Sequence, residues 1–289
     1  MKNNLAFILL FVISNVLAED PVTSLRFVNI PGGSFLMGSK RSGYKDERPV
    51  HRVRVQSFAM MDHELTIGEL KKLLRIYPTV MSRNIEKDSL ADLNIQELVD
   101  NNHQEWPNNI DDMPVTVTWI EAINIATKLG EVSGKKIRLP TEVEWEYSAR
   151  GGLVQKLYPW GNMNDKINGI KVASLIKRIQ GKHNSAWLSL PVYSVRTTTP
   201  PNSFGLYDMA GNVWEWTSSL YRPYPYNKVD GREVLRQNGM RVIRGGGQSI
   251  ESRDVRVSFR GYGSMESRYG VRYVMDTTTD TIPTKQSIG

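Results

Sequence analysis

The 289-residue chain contains no cysteine. That single absence removes thiol nucleophiles, disulfides, zinc–thiolate sites and redox pairs together. A chain of this length buries enough surface to fold without such crosslinks. Histidine is scarce as well, limited to His51, His63, His103 and His183, with no His-x-x-x-His spacing. Each therefore reads as a surface or hydrogen-bonded residue rather than a metal ligand. Beyond the first residues there is no long apolar run, so no later segment reads as membrane-spanning. There is no internal repeat. Acidic residues fall short of basic ones, 30 against 37, for a formal charge of +7. That balance permits anionic partners and names none.

The start of the chain is what stands out first. Lys2 gives a short basic beginning, Leu5 to Val16 is apolar except for Ser14 and Asn15, and Val16 and Ala18 occupy the −3 and −1 positions of a small-residue cleavage site. Residues 1–18 are thus expected to be a secretory signal peptide, cut after Ala18. The mature protein would be periplasmic or secreted, away from nucleic acid and not membrane-spanning after cleavage. No cysteine follows the site, which excludes a lipid anchor there.

Local patterns then mark out elements. Leu25 to Ile30 and Ser34 to Gly38 read as two strands of a hairpin turning at Pro31-Gly32-Gly33. Val50 to Val55 alternates as a half-buried strand. Three helices begin with the same signal, a Thr followed three residues later by Glu: Thr66–Glu69, Thr118–Glu121 and Thr141–Glu144. In each, the hydroxyl can accept from an orphan amide while the carboxylate reaches back. Gly134 and Gly151 are placed to end the second and third. Residues 76–112 read as a polar insertion with a short helix near Ile95 to Val99, and 150–205 as irregular structure. Strands are expected at Val242 to Arg244, Asp254 to Phe259 and Tyr269 to Met275. Residues 276–289 lack apolar content and read as a disordered tail. The result is an α+β domain spanning residues 19–275.

The landmark segments resemble one family. Pro31 to Gly38 (PGGSFLMG), Asp46 to His51 (DERPVH), Val117-Thr118-Trp119, Arg138 to Tyr147 (RLPTEVEWEY), Tyr158 to Asn162 (YPWGN), Asn202 to Trp216 (NSFGLYDMAGNVWEW), Arg244 to Gly247 and Gly270-Val271-Arg272 follow its order and spacing. This is the formylglycine-generating enzyme, or sulfatase-modifying factor, domain. The resemblance implies an α+β fold related to C-type lectins and rich in irregular loops.

It also implies what is missing. Family enzymes bind copper through two cysteines, a soft pair suited to Cu(I). The matching positions here fall at Val257 and near Ser252. Valine cannot ligate copper and serine does so poorly, so a copper-dependent oxidase is excluded. The Asp208-x-x-Gly211-x-Val213-x-Glu215 run matches a family calcium motif, in which two side chains and two carbonyls converge. Such hard oxygen donors suit calcium, and the resemblance implies a structural calcium there. A second family calcium site needs an acid in the preceding loop, and none occurs between Asp165 and Asp208. Ser252 has no adjacent base and makes a poor nucleophile. Arg253, Arg256 and Arg260 form a candidate anion- or partner-binding face, with a packing and pairing role as the alternative.

Two functions stay open at this stage. One is a periplasmic, non-catalytic module that binds and regulates an envelope protein, as in exported relatives of type VI secretion kinase pathways. The other is a periplasmic enzyme with altered, copper-independent oxidative chemistry, as in siderophore maturation. Glycan or peptide binding through the lectin-like scaffold ranks third.

Overall fold

A computed structural model describes residues 24–76, 110–168, 170–172, 174–175, 194–197, 199–247 and 253–277. The expected signal peptide, the short helix near Ile95, Ser252 and the chain after residue 277 lie outside these described residues.

Thirteen short strands are defined among them: β1 (Phe27–Ile30), β2 (Gly33–Met37), β3 (His51–Val55), β4 (Phe58–Met61), β5 (Thr116–Val117), β6 (Ile137–Arg138), β7 (Lys166–Ile167), β8 (Ile170–Lys171), β9 (Glu215–Leu220), β10 (Arg241–Arg244), β11 (Gly261–Gly263), β12 (Tyr269–Gly270) and β13 (Val274–Asp276). Three α-helices accompany them: α1 (Ile67–Ile76), α2 (Trp119–Ser133) and α3 (Glu142–Arg150). All three helix starts behave as their sequences dictate. The Thr66 N–H donates to Glu69 and the Glu69 N–H to the Thr66 hydroxyl. Complete capping boxes open α2 at Thr118 and α3 at Thr141. Gly134 and Gly151 take the left-handed conformation that closes those two helices.

The strands form a four-stranded sheet ordered β1-β4-β13-β6, a five-stranded sheet ordered β11-β10-β9-β12-β5, and two ribbons, β2–β3 and β7–β8. Between the large sheets and the helices lie two apolar clusters. One gathers Trp119, Leu129, Leu139, Trp216 and Tyr273. The other gathers Ile30, Met37, Phe58, Trp145 and Val257.

Four expectations need correction. The turn at Pro31-Gly32 does not close a hairpin, because β1 pairs with β4 and β2 with β3. The turn is a corner between two sheets, and Gly32 is needed because a Cβ would meet the Ser57 amide at 2.9 Å. Asp254 to Phe259 is a run of turns rather than a strand. Its backbone is held locally, with the Phe259 N–H donating to the Arg256 carbonyl. Tyr269 to Met275 divides between sheets. Gly270 sits beside Glu215 in the five-stranded sheet, while Val274 lies between Met60 and Arg138 in the four-stranded one. The last strand also runs to Asp276, one residue into the expected tail.

Candidate functional site

Residues 271–273 cross from one sheet to the other, and that crossing places Arg272 at the centre of the molecule. Its side chain is fully buried. The guanidinium donates to both Glu215 oxygens at 2.8–3.3 Å, to the Met61 carbonyl at 3.2 Å and to the Tyr207 carbonyl at 2.9 Å. Glu64 lies 3.7 Å away. Trp145 Nε1 completes the shell of Glu215 at 2.8 Å. Asp208 stands nearby, its Oδ2 accepting from the Arg196 amide at 2.7 Å.

Charge does not balance in this cluster. Three buried carboxylates, Glu64, Asp208 and Glu215, surround one buried arginine. Burial pushes the Glu64 carboxyl well up, and Asp208 and Glu215 add to that against the opposing pull of Arg272. Burial likewise raises Asp208. Glu64 Oε2 and Asp208 Oδ1 have no hydrogen-bond partner. An enclosed excess of negative charge with unpaired oxygens is costly unless a cation or a proton joins it.

The two acids of the calcium motif, Asp208 and Glu215, fall here. Asp208 and Asn212 adopt left-handed backbone conformations, φ 56° and 68°, which Asp and Asn tolerate best among non-glycine residues. Those two bends curl the 208–215 loop, and the Gly211 N–H is tied to the Gly245 carbonyl at 2.8 Å. The donor set suits calcium, with Asp208 and Glu215 side chains and the Gly211 and Val213 carbonyls on one tight loop. No group of three or more His, Cys, Asp or Glu side chains among the described residues could hold a metal by itself. The loop would need its backbone carbonyls, as the motif implies. Glu64 was missed in the sequence. Its only signal is that it precedes the Thr66 cap by two residues, which says nothing of Asp208.

At the copper position the side chain of Val257 is buried in the second apolar cluster. Its amide donates to the Leu157 carbonyl at 2.9 Å. A sealed apolar position offers no donor, so a copper ion does not fit at Val257.

The arginines expected at a binding face divide. Arg253 is half exposed and lies 3.6 Å from Asp254. Arg256 and Arg260 are buried and face no solvent. Arg256 makes a two-pronged pair with Glu47 at 2.8 and 2.9 Å, and its guanidinium stacks near Tyr44 and Phe259. Arg260 grips Glu142 at 2.6 and 3.0 Å and the carbonyls of Asp46 and Arg222. Arg244 joins them, donating to Glu146 at 2.6 Å and to the carbonyls of Val257 and Phe259. Burial opposes ionisation of Glu146, but the charges of Arg150 and Arg244 outweigh it and hold its carboxyl below the ordinary range. The turns of 253–260 lack a sheet ladder, and Arg244 satisfies the Val257 and Phe259 carbonyls instead.

The two described histidines have separate partners. His51 accepts from the Tyr226 amide at 2.8 Å. His63 is buried between Asp62 and Glu69, at 2.5 and 3.2 Å. Burial disfavours its charged form, yet the hydrogen bonds to Asp62 and Glu69 raise it above its ordinary value.

Taken together, the fold and these motifs define a formylglycine-generating-enzyme-like domain from which the copper chemistry has been removed. Residues 14–277 match the sulfatase-modifying factor enzyme 1-like domain, and the chain belongs to that family. It is 33% identical over 259 residues to the serine/threonine-protein kinase pkn1 of Chlamydia caviae, covering 85% of this chain and 37% of that protein. The chain thus spans little more than a third of that relative. It is 29% identical over 233 residues to the formylglycine-generating enzyme of Mycobacterium tuberculosis, covering 70% of this chain and 76% of the enzyme. Among solved structures, PvdO from Pseudomonas aeruginosa superposes with a TM-score of 0.63 at 25% identity, over 86% of this chain and 94% of that one. No described helix is long and apolar enough to cross a membrane.

Proposed function

We propose that this chain is an exported, non-catalytic formylglycine-generating-enzyme-like module that binds and regulates a protein partner of the cell envelope. The observation that carries the reading is the state of the ancestral copper position. Val257 is sealed in apolar packing, the flanking Arg256 is locked onto Glu47, and the chain has no thiol anywhere. A scaffold that keeps its core and loses its reactive groups retains only its surface to act with. The likeness to a kinase-named relative favours a partner in a kinase pathway, with type VI secretion as the system to examine first.

A structural calcium at Asp208, Gly211, Val213 and Glu215 belongs to the same reading. It would offset the excess of buried carboxylate beside Arg272 and fix the 208–215 loop. Bound at a hundred times its Kd, it would add about 2.7 kcal/mol of stability. Thermal melts should then shift upward with calcium and downward with chelator in the wild type, and neither way in Asp208→Asn. An unchanged wild-type melt would remove calcium from the account.

The oxidative alternative needs a perturbed acid at an open cleft. The raised carboxyls of Glu64 and Asp208 are instead enclosed around Arg272. The two readings separate in one experiment. Mature protein from residue 19 is used to capture partners from envelope extract, with and without chelator. Stable capture of a secretion component or kinase ectodomain supports the module. No capture, together with oxygen consumption on a periplasmic metabolite, would overturn it.

A further inference from the structure

Strand β2 has a described partner on one side only. β3 pairs along its whole length, from Gly33↔Val55 to Met37↔His51, and these two strands make up a sheet of their own. On the far side, Gln155 Nε2 donates to the Leu36 carbonyl at 3.0 Å. That contact identifies Leu36 as a residue whose backbone groups point away from β3. Backbone groups of a strand alternate in direction from one residue to the next, so Ser34 points the same way. Gln155 holds the Leu36 carbonyl, but no described strand pairs with this side of β2, and an unpaired edge is a template for another strand.

Against this edge lies a cavity of about 240 Å³, lined by Ser34, Phe35, Leu36, Tyr147, Leu153 and Arg52. Its apolar wall is built on the Phe35 and Tyr147 rings, whose centres are 5.3 Å apart. At its rim Val154 is 71% exposed. Arg52 belongs to β3 and sits opposite Leu36. From that position Arg52 also lines the cavity. Arg52 and its neighbour Arg54 are both exposed, and neither has an ion pair or hydrogen bond among the described residues. The ribbon itself, GSFLM and HRVRV, carries no acid. Arg150, on the same wall, is committed to Glu146 and the Gly38 carbonyl and is not available.

We propose that the open edge of β2 takes up an extended acidic segment of a partner protein as a third strand. An apolar side chain of that segment enters the cavity and a carboxylate meets Arg52. Main-chain bonds would supply affinity, and the cavity with Arg52 the selectivity. The acidic character follows from charge complementarity, since Arg52 and Arg54 have no counter-charge among the described residues. This inference rests on the partner-binding reading and gives it a location.

The test uses the purified full chain and fluorescein-labelled hexapeptides, one alternating valine with aspartate and one alternating valine with lysine. Anisotropy titrations should show the aspartate peptide binding at least about tenfold tighter, with affinity falling as salt rises. Arg52→Glu should invert that preference, and N-methylation of alternate peptide amides should abolish binding. Arg52 is exposed and unpaired, so the R52E melt should match the wild type, which separates lost binding from lost fold. No binding of the aspartate peptide, equal binding of both peptides, or indifference to R52E would each overturn the proposal. Wild-type dimerisation that R52E abolishes would assign the edge to a second copy of the chain and overturn it as well. Capture from envelope extract distinguishes the two levels. If R52E captures a partner as well as the wild type does, the module reading stands and this location is wrong. If the wild type captures nothing, both fail.

Discussion

At the scale of single residues, the fold depends on buried arginines that face carboxylates distant in sequence. Arg272 is the central case. Replacing it with Met would leave Glu64, Asp208 and Glu215 without the buried guanidinium that faces them. The expected loss is about 3–5 kcal/mol, the usual consequence of orphaning a buried charge, and urea unfolding measures it. His63 provides a pH test with a definite sign. Its folded pKa is raised, so protonation stabilises the fold fully below the unfolded value of 6.5. That contribution is lost as pH rises from there through the raised folded value. Melting temperatures of the wild type should therefore decline across this window, while those of His63→Asn should decline less. Equal slopes would show that His63 contributes nothing to the pH dependence. The sequence located Val257 and the Asp208–Glu215 loop, because a motif match needs only local order. It could not announce that Arg256 faces Glu47 or that Arg260 faces Glu142. Those partners are 209 and 118 residues away, and nothing in a charge count couples them. For both, the packing and pairing role holds and the partner-binding face does not.

At the scale of elements, the helices were legible and the strand pairs were not. A capping box is closed within four residues, so Thr118 with Glu121 and Thr141 with Glu144 carry their own instructions. Thr118→Ala should cost about 1 kcal/mol in a urea melt, because the Glu121 amide loses its acceptor. A loss below the error of the fit would mean that α2 is held by packing alone. Strand pairing is decided elsewhere. The Pro31-Gly32 signal gave the right place for a turn and the wrong partner for both strands. The same local chemistry serves a hairpin or a corner, and only the register with β3 and β4 distinguishes them. The run at 254–259 failed for a related reason. Alternation around Val255, Arg256 and Val257 satisfies a strand pattern, yet here Arg256 turns inward onto Glu47 and the backbone turns around it.

At the scale of the whole molecule, the chain closes on itself at its far end. β13 lies between β4 and β6 in the four-stranded sheet, and Asp276 pairs with Lys136 and Arg138. A chain cut after Tyr273 would lose the strand that joins β4 to β6, and it should fail to give a cooperative melt. A cooperative melt close to the wild type would show that the sheet assembles without its central strand. The same closure explains why Arg272 reaches the core. Residues 271–273 must step between sheets, and the step carries that side chain inward beside Glu215.

The sequence by itself determined the family, the α+β class, the three helix starts and the impossibility of copper–thiolate chemistry. Each of these is written either in local order or in the absence of a residue type. Only the tertiary structure decided which strands pair, which arginines are hidden, and that Glu64 joins Asp208 and Glu215 around a single cation. Those outcomes depend on contacts between segments far apart along the chain, where the energy of burying charge, rather than local propensity, selects the partner.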